Sequence, residues 1–414
     1  MPMKSDTLRA LPAILIAALS GAASAAGFQL WEQNASGIGT SYAGSAAIAD
    51  NASTIYFNPA GMTQSPGIQL SAGMTGVAPR FEFNDAASYG TGAAAGLSGG
   101  NGGNAGGWAA VPNGYVAVQV APDWFVGLGV SSPFGLRTEY EDANWIGRYQ
   151  ALKSEVRTLN INPSLAWRVS DKVSLGLGLN YQKLDAELTS AGSRLTGDDT
   201  AWGWNAGALF TLSPAMRVGV SYRSALSYTL EGDASTAAGS TPVRANLRLP
   251  DTFILSVWQQ VSDRWEAMGD LSYTNWSTLK SLDVVSRSSG AALGGETFNY
   301  DDSWRIAWGA AYKATDALKL KFGIAYDHTP TSDGYRSARL PDNDRLWLSL
   351  GAQWNAGAWG RLDVGYAYLY LRDPNINQTT TLRAPAGGVA GTSTLLGRYD
   401  DSAHVVGAQY SVGF

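Results

Sequence analysis

The chain of 414 residues contains no cysteine and only two histidines. The lack of cysteine excludes a disulfide framework and thiolate chemistry, and it suits a chain that crosses an oxidising periplasm. His328 and His404 lie far apart, and neither has a second ligand at metal-binding spacing. The Gly-x-Ser-x-Gly motif of many hydrolases is also missing. The sequence therefore predicts no enzyme, no metal site and no other cofactor.

Long hydrophobic runs are confined to the amino terminus. Residues 1–25 combine Lys4 and Arg9 with the apolar run 11–19 and end on Ala23-Ser24-Ala25, which is the pattern of a cleaved signal peptide. After it, no apolar run reaches the roughly 20 residues that a membrane-spanning helix requires. We therefore expect a secreted chain that begins at Ala26 and does not cross the membrane with helices.

An excess of positive charge is likewise absent, since the formal net charge is -5. This balance argues against a nucleic-acid partner, which would require a basic face. Aromatic residues are abundant, with 15 Trp and 19 Tyr, and a mean hydropathy of -0.10 is what alternating lipid-facing and lumen-facing residues produce. Amphipathic rings gather where a β-barrel meets the two headgroup layers, so the composition favours the outer membrane of a Gram-negative cell.

The last seventeen residues, 398–414, alternate apolar with small or polar side chains and end on Phe414. Successive side chains of a strand point to opposite faces, so one face can contact lipid and the other water. An aromatic carboxyl terminus after such a run is typical of the final strand of an outer-membrane barrel. We expect the barrel-assembly machinery to recognise it through Phe414. An ordinary sandwich strand with one buried face is the alternative on this segment alone.

Turn residues predict the number of strands. Six short polar turns near residues 122, 171, 214, 263, 316 and 356 alternate with seven longer connections rich in Gly, Ser, Thr and Asp. Six inner turns and seven outer loops join fourteen strands. The predicted fold is thus all-β, a 14-stranded antiparallel transmembrane barrel over residues 67–414. The predicted outer loops are residues 85–107, 133–154, 189–200, 232–241, 286–296, 329–343 and 373–396.

Residues 26–66 do not show the alternation of a barrel wall. The segment is rich in glycine and small residues but carries apolar anchors such as Phe28, Leu30 and Phe57. A flexible linker would not need these anchors, so we predict a folded hatch inside the lumen. Its sequence resembles the hatch of the FadL family of long-chain fatty acid transporters. The residues that carry this resemblance are Ala26–Leu30, Ser36–Gly39, Ala47–Asp50 and Asn58–Ala60.

Further blocks of the chain are similar to the same family, including Phe134–Leu136, Gly203–Gly207 and Pro341–Arg345. The resemblance implies a monomer that takes up hydrophobic molecules passively. It implies capture among the outer loops, binding in the lumen and lateral exit through a kinked third strand into outer-membrane lipid. The cargo is then a long-chain fatty acid, or alternatively an aromatic hydrocarbon or alkane. A general aqueous porin is a further alternative.

The third strand has residues suited to such a kink. Gly127 and Gly129 lie within it, and Pro133, Phe134 and Gly135 follow. Proline lacks a ladder donor and glycine adopts unusual dihedral angles, so pairing should fail near residues 133–135. Without the resemblance, the same residues would simply begin the second outer loop. In the hatch we single out Asn58, Pro59 and Ala60, and we predict that the Asn58 amide bonds the exposed backbone of the kinked strand.

Ligand contacts follow from strand parity. Arg305, Lys321 and Arg345 fall on lumen-facing positions, where a desolvated cation could bind a carboxylate. Acids that also face the lumen could instead neutralise them in a structural network. Apolar contacts are expected from Ile254, Trp258 and Trp347, with Phe134 of the kink. Core packing against the hatch would explain the same apolar residues. The candidate acids are Glu266, Asp270, Asp327 and Asp363.

Overall fold

The computed structural model describes residues 27–383 and 388–414, so the predicted signal peptide lies outside the described residues. Fourteen antiparallel strands in these two ranges form one barrel wall. The wall strands are β1 (Ile68–Asp85), β2 (Ala109–Ala121), β3 (Trp124–Ser131 and Gly135–Glu139), β4 (Lys153–Ser170), β5 (Val173–Ser190), β6 (Ser193–Ser213), β7 (Met216–Arg223 and Leu226–Thr236), β8 (Gly239–Leu249 and Thr252–Gln260), β9 (Trp265–Thr274 and Ser281–Ser286), β10 (Ala292–Thr297 and Ser303–Lys313), β11 (Leu318–Asp327), β12 (Arg345–Asn355), β13 (Arg361–Leu371 and Asn375–Arg383) and β14 (Val389–Gly413).

The first and last strands close the barrel. β1 pairs with β14 from Gln69 opposite Gly413 to Asp85 opposite Gly397. The backbone of Phe414 continues this ladder, because its N–H donates to Ile68 O at 2.8 Å and its carbonyl accepts from Ile68 N at 3.0 Å. The fourteen-stranded antiparallel barrel predicted from the turns is therefore confirmed, and the β1–β14 ladder closes the described wall.

The short turns lie at the six predicted places, but several predicted outer loops are wrong. Residues 189–200 were expected to be a loop, yet β5 runs to Ser190 and β6 starts at Ser193. Likewise β7 and β8 extend into the predicted loop 232–241, and β14 begins at Val389, inside the predicted loop 373–396. At the tips of these hairpins both faces of a strand can contact water. Apolar alternation is therefore lost there, although the backbone ladder continues.

Residue parity separates lipid from lumen on every long strand. On β5, Leu175, Leu177 and Leu179 are exposed on the outside, whereas Ser174 and Asn180 are buried inside. Aromatic rings mark the outer surface, as in the Trp124–Trp167 pair, whose stacked rings have centroids 5.6 Å apart. Such an apolar band with aromatic girdles is the surface that a bilayer requires.

The hatch, residues 27–66, fills the lumen. It contains the 3-10 turns Ile38–Thr40 and Pro59–Gln64 and the helix α1 (Thr54–Phe57), and nearly all of its residues up to Thr63 are buried. Two further 3-10 turns are present: Trp276–Thr278 lies between the two parts of β9, and Gly357–Trp359 lies in the turn between β12 and β13. A short strand, Tyr89–Gly92, lies in the first outer loop. None of the helices in the described ranges is long and apolar enough to cross a membrane.

A ring of lumen-facing glycines makes room for this segment. A Cβ added at any of them would lie 2.0 to 2.9 Å from a hatch atom, closer than real Cβ contacts allow. The hatch backbone thus sits where the wall has no side chains. We call this set the glycine ring. Its members are Gly127 of β3, Gly176 of β5, Gly207 of β6, Gly219 of β7, Gly309 of β10, Gly323 of β11, Gly351 of β12, Gly365 of β13 and Gly407 of β14.

Candidate transport site

The barrel wall has a seam between β2 and β3. In the described wall, β2 pairs with β3 only from Gly114 opposite Val130 down to the inner turn. Its outer part, Ala109–Asn113, pairs with β1 alone, and the outer half of β3 pairs with β4. Between the halves of β3 lie Ser132–Phe134. Pro133 has no N–H for a ladder bond, which explains why pairing stops here.

The two glycines that were assigned to the kink lie instead in the paired part of β3. Gly127 and Gly129 remain in the ladder with β2, opposite Ala117 and Tyr115. Neither is among the positive-φ glycines of the described chain. A Cβ on Gly127 would lie 2.5 Å from Met62 of the hatch. The assignment of these two glycines to the kink was therefore wrong, and they instead allow close approach of hatch and neighbouring side chains.

The amino-terminal part of the hatch covers the seam from inside. We call residues 27–34 the arm. Leu30 N–H donates to Pro133 O at 2.8 Å, and Gly135 N–H donates to Phe28 O at 2.9 Å. The side-chain amide of Gln33 donates to Ser132 O at 2.8 Å. The arm thus behaves as an inner strand that satisfies the backbone groups left by the broken ladder.

The predicted partner of Asn58 was wrong. Its side-chain amide donates to Ala46 O in the hatch at 2.8 Å and to Ala208 O of β6 at 3.0 Å, not to β3. Its Oδ1 accepts from Ala60 N–H at 3.1 Å. Pro59 and Ala60 press against Gly176 of β5. Asn58 therefore fixes the hatch to the wall away from the seam, because the arm already occupies the exposed backbone of β3.

Above the hatch, the inner faces of the outward-extending strands form an apolar vault. Its members are buried, and one small cavity among them is lined almost entirely by apolar atoms of β5 to β9. We define the vault by its buried members, which are Phe28, Phe134, Leu136, Leu184, Ala201, Leu226, Tyr228, Leu230, Val243, Ala245, Leu247, Leu249, Trp276, Leu279, Leu282, Val284, Tyr300 and Leu340.

The vault ends at the seam. Phe28 of the arm, Phe134 of the break and Trp276 form an edge-to-face trio, with centroid separations of 5.0 Å for Phe28–Trp276, 6.0 Å for Phe28–Phe134 and 6.1 Å for Phe134–Trp276. Phe28 and Phe134 also belong to the backbone contact between arm and β3. The arm and these rings therefore lie between the vault and the seam.

Two of the three predicted lumen cations are neutralised by acids. Lys321 contacts Asp363 at 2.7 Å and donates to Ser36 O of the hatch at 2.9 Å. Arg345 forms an ion pair with Asp342, and both are buried. For these two cations the structural network proposed as the alternative is what the structure contains.

Arg305 is different. Its Nη2 donates to Ser41 O of the hatch at 2.7 Å, and its guanidinium lies over Trp31 at 4.6 Å and over Trp347 at 5.1 Å. It is only 2% exposed, yet Nε and Nη1 have no hydrogen-bond partner among the described residues. A buried guanidinium with two unused donors can still bind an anion such as a carboxylate.

The residues predicted to make apolar contacts with a ligand lie at separate places in the lumen. Trp347 covers Arg305, whereas Ile254 lines a small cavity with Trp31 and Tyr56 of the hatch. Trp258 lies towards the inner turns. Its indole N–H donates to Glu266 at 3.1 Å, and the Arg217 guanidinium lies over its ring, 4.2 Å from the centroid. Trp258 is thus not brought together with the other predicted ligand contacts.

Sequence reasoning missed the arm as the partner of the seam, and with it Glu32. The Glu32 side chain is 1% exposed, and its Oε2 has no hydrogen-bond partner within residues 27–383 and 388–414. Burial raises the pKa of Glu32 to about 7, against the opposing influence of Arg345 and Arg305. The alternation Phe28-Gln29-Leu30 is a short strand signal that could have identified the arm.

Comparisons with known proteins agree on one family. Residues 16–414 match the model described as outer membrane protein transport protein (OMPP1/FadL/TodX). Outer membrane protein P1 of Haemophilus influenzae is 33% identical, over 89% of this chain and 91% of its own length. The long-chain fatty acid transport protein of an Escherichia coli strain is 30% identical, over 89% and 92%.

Solved structures show the same fold. A FadL homologue from Pseudomonas aeruginosa superposes with a TM-score of 0.84 at 24% identity, covering 94% of this chain and all of that one. The toluene transporter TodX of Pseudomonas putida gives 0.68 at 16% identity, covering 92% and 98%. At these identities the likeness concerns the architecture of the chain.

Proposed function

Because the chain belongs to the OMPP1/FadL/TodX family of outer-membrane transport proteins for hydrophobic compounds, we propose that it takes up long-chain fatty acids by passive diffusion. The cargo enters the vault, places its carboxylate at Arg305 and leaves sideways through the seam into the bilayer. The observation that carries this proposal is the continuity of the vault with the seam through Phe28 and Phe134.

A lateral route suits the chemistry of the cargo. A long hydrocarbon chain gains about 0.8 kcal/mol for each methylene removed from water. An aqueous pore would return that chain to water, whereas the seam delivers it to lipid without an aqueous step. The hatch also occupies the lumen, with most of its side chains buried against the wall. This supports lateral transfer over the general porin, which requires an open, water-filled lumen.

The position of Arg305 supports a carboxylate cargo. In the ladder between β9 and β10, Arg305 is opposite Ser272. The pair Thr274–Ser303 lies two residues further towards the outer end of these strands. Two residues of strand correspond to about 7 Å, so the guanidinium lies one layer beneath the aromatic end of the vault. A fatty acid can therefore keep its chain in the vault while its head group reaches the unused donors of Arg305.

An uncharged hydrocarbon is the second candidate cargo. The aromatic trio offers ring contacts that need no head group, and TodX, a relative in fold, is named a toluene transporter. Such a cargo would use the same vault and seam without Arg305. The two candidates differ in their dependence on this one cation.

A disulfide across the seam tests the route. Gln29 and Phe134 form an isolated antiparallel bridge, which brings their Cα atoms within the range that a disulfide spans. Since the chain has no cysteine of its own, the pair Gln29→Cys with Phe134→Cys can be oxidised selectively. We expect oleate uptake by cells lacking their own transporter to stop on oxidation and to return with reductant.

The matched control ties the hatch to the wall elsewhere. Thr63 of the hatch and Ser174 of β5 have hydroxyl oxygens 2.7 Å apart, so Thr63→Cys with Ser174→Cys forms the same bond away from the seam. Oxidation of this pair should leave uptake unchanged. Full uptake through the oxidised Gln29–Phe134 pair would refute the seam as the exit.

Cargo identity is tested by comparing oleate with toluene in the wild type and in Arg305→Gln. For a fatty acid transporter, oleate uptake falls at least tenfold in the variant, because one charge-assisted pair contributes about 1.5 to 3 kcal/mol. Uptake of toluene alone, unchanged by Arg305→Gln, would replace the fatty acid with a hydrocarbon. Uptake of neither compound, with a correctly inserted barrel, would reject the transport route.

A further inference from the structure

A row of buried polar side chains lies at the closed end of the seam. The outermost pair of the ladder between β2 and β3 is Gly114 opposite Val130. The next residue of β2 is Asn113 and the next residue of β3 is Ser131, which in turn is opposite Asn160 of β4. All three side chains are buried. We call Asn113, Ser131 and Asn160 the polar row.

Asn113 is the least satisfied member of the polar row. Neither its Oδ1 nor its Nδ2 has a hydrogen-bond partner among residues 27–383 and 388–414, although the residue is only 7% exposed. The Oδ1 of Asn160 is also unused in this part of the chain, whereas its Nδ2 donates to Asn180 Oδ1 at 3.3 Å. A buried amide without any hydrogen bond costs free energy, so a partner is expected for it in the folded protein, either water or a ligand.

The surroundings of the polar row are built from neutral hydrogen-bonding groups. On the hatch side, the backbone carbonyl of Gln33 accepts from the Tyr115 hydroxyl at 2.7 Å, and its side-chain amide donates to Ser132 O. On the wall side, Asn180 leads from Asn160 to Arg223 of β7, whose guanidinium donates to Asn180 Oδ1 and, at 2.8 Å, to Tyr56 O of the hatch. The row therefore offers a molecule at the seam neutral donors and acceptors.

An amide with both polar atoms unused distinguishes a carboxylic acid from a carboxylate. The N–H of Asn113 can donate to an oxygen of either form, but Oδ1 accepts a second bond only from the protonated acid. A carboxylate would place its second oxygen against Oδ1, and two acceptors repel each other. A primary amide head group makes the same pair of bonds as the acid and carries no charge.

The proposed exit gives a reason for this preference. Moving an ionised carboxylate into hydrocarbon costs far more free energy than moving the neutral acid, so the head group held at Arg305 has to take a proton from water before it leaves. A small cavity lies between the two places. It is lined by Trp31, over which Arg305 lies, and by Arg223, which is joined to the polar row through Asn180.

We propose that Asn113, with Asn160 in the same row, is a second head-group site that binds the cargo as a neutral carboxylic acid at the start of the seam. This inference rests on the proposed function. Arg305 holds the ionised head group and Asn113 holds the protonated one. The cargo then enters the bilayer without charge.

Two ligands that do not titrate separate the two sites. Hexadecanamide is an uncharged mimic of the protonated acid, and hexadecyl sulfonate stays ionised. Equilibrium binding of each to the full-length mature protein in lipid nanodiscs is measured against empty nanodiscs. Asn113→Leu should weaken hexadecanamide binding about tenfold, because two hydrogen bonds are lost, and should leave sulfonate binding unchanged. Arg305→Gln should weaken sulfonate binding and leave hexadecanamide binding unchanged.

Leucine resembles asparagine in shape, and the fold of each variant is checked by the mobility of the unheated barrel in a denaturing gel. Asn113→Ser keeps one hydroxyl in place of the amide, so it should weaken hexadecanamide binding by less than Asn113→Leu. The matched control is Ser393→Ala in the outer part of β14. Its hydroxyl is buried without a hydrogen-bond partner in the described chain, and its loss should affect neither ligand.

Each outcome has one meaning. Equal hexadecanamide affinity in wild type and Asn113→Leu would overturn the second site while leaving the transporter assignment intact. Equal weakening of both ligands by Asn113→Leu in a folded barrel would also overturn it, because the residue would then shape the lumen without distinguishing head groups. Absence of saturable binding of either ligand to wild type would reject the proposed cargo together with this inference.

Discussion

The glycine ring allows the hatch to pack closely against the wall, and a substitution at Gly207 of β6 is the clearest test of that packing. A Cβ at residue 207 would lie 2.1 Å from Asn58 Oδ1 and 2.9 Å from Asn58 Cγ. Gly207→Ala must therefore turn the Asn58 amide away. This removes its bonds to Ala46 O and Ala208 O and the bond from Ala60 N–H. At about 1 kcal/mol for each bond, the seated hatch loses about 3 kcal/mol.

Chemical labelling measures this loss. Ser41 is buried in the hatch against Ser349 of β12, on another part of the wall from Gly207, so Ser41→Cys reports opening of the hatch as a unit. If the thiol reacts only in the open state, 3 kcal/mol corresponds to about 160-fold faster labelling in the Gly207→Ala background. The control is Gly114→Ala on β2, where an added Cβ meets nothing within 4 Å.

A labelling rate within threefold of the Ser41→Cys parent, in a barrel of unchanged thermal stability, would refute this reasoning. It would mean that Asn58 can accommodate the methyl group without losing its bonds, or that the hatch opens in parts. Equal acceleration by Gly114→Ala would also refute it, because the effect would then follow from any alanine in the wall.

Two further predictions concern export and assembly. Edman sequencing of the protein isolated from outer membranes should begin at Ala26, and a start more than two residues away would reject the predicted cleavage site. Deletion of Phe414 should lower the amount of folded barrel in the outer membrane severalfold, since its backbone completes the β1–β14 ladder and its ring is 75% exposed for recognition. Phe414→Tyr should assemble normally, and equal yields for the deletion would contradict a role for this residue.

Alternation and turn chemistry were sufficient to predict the wall, because both are local properties of the chain. Leu175, Leu177 and Leu179 face lipid as parity predicts, and the six inner turns lie where polar residues interrupt the runs. The outer loops were misassigned because the tips of the outward-extending hairpins lie beyond the vault and have no continuous apolar face. The backbone hydrogen bonds that extend β5 to Ser190 do not depend on side-chain type, so the sequence pattern does not reveal them.

The transport site was predicted less well, because it depends on contacts between distant parts of the chain. Asn58 is an obvious capping residue in the sequence, but whether it meets β3 or β6 depends on how the hatch lies in the lumen. Arg305 and Lys321 look equivalent by parity. Only the placement of Asp363 beside Lys321 distinguishes them.

The vault has a consequence for cells that live at low nutrient concentration. Its apolar wall continues outward beyond the membrane band, on strands whose outer surfaces carry Lys183 and Asp185 among other charges. A hydrocarbon chain that leaves water for this vault with only four methylenes buried would gain about 3.2 kcal/mol, which enriches it about 200-fold over the bulk phase. On the proposed route, the vault therefore collects cargo from dilute solution as well as passing it to the seam.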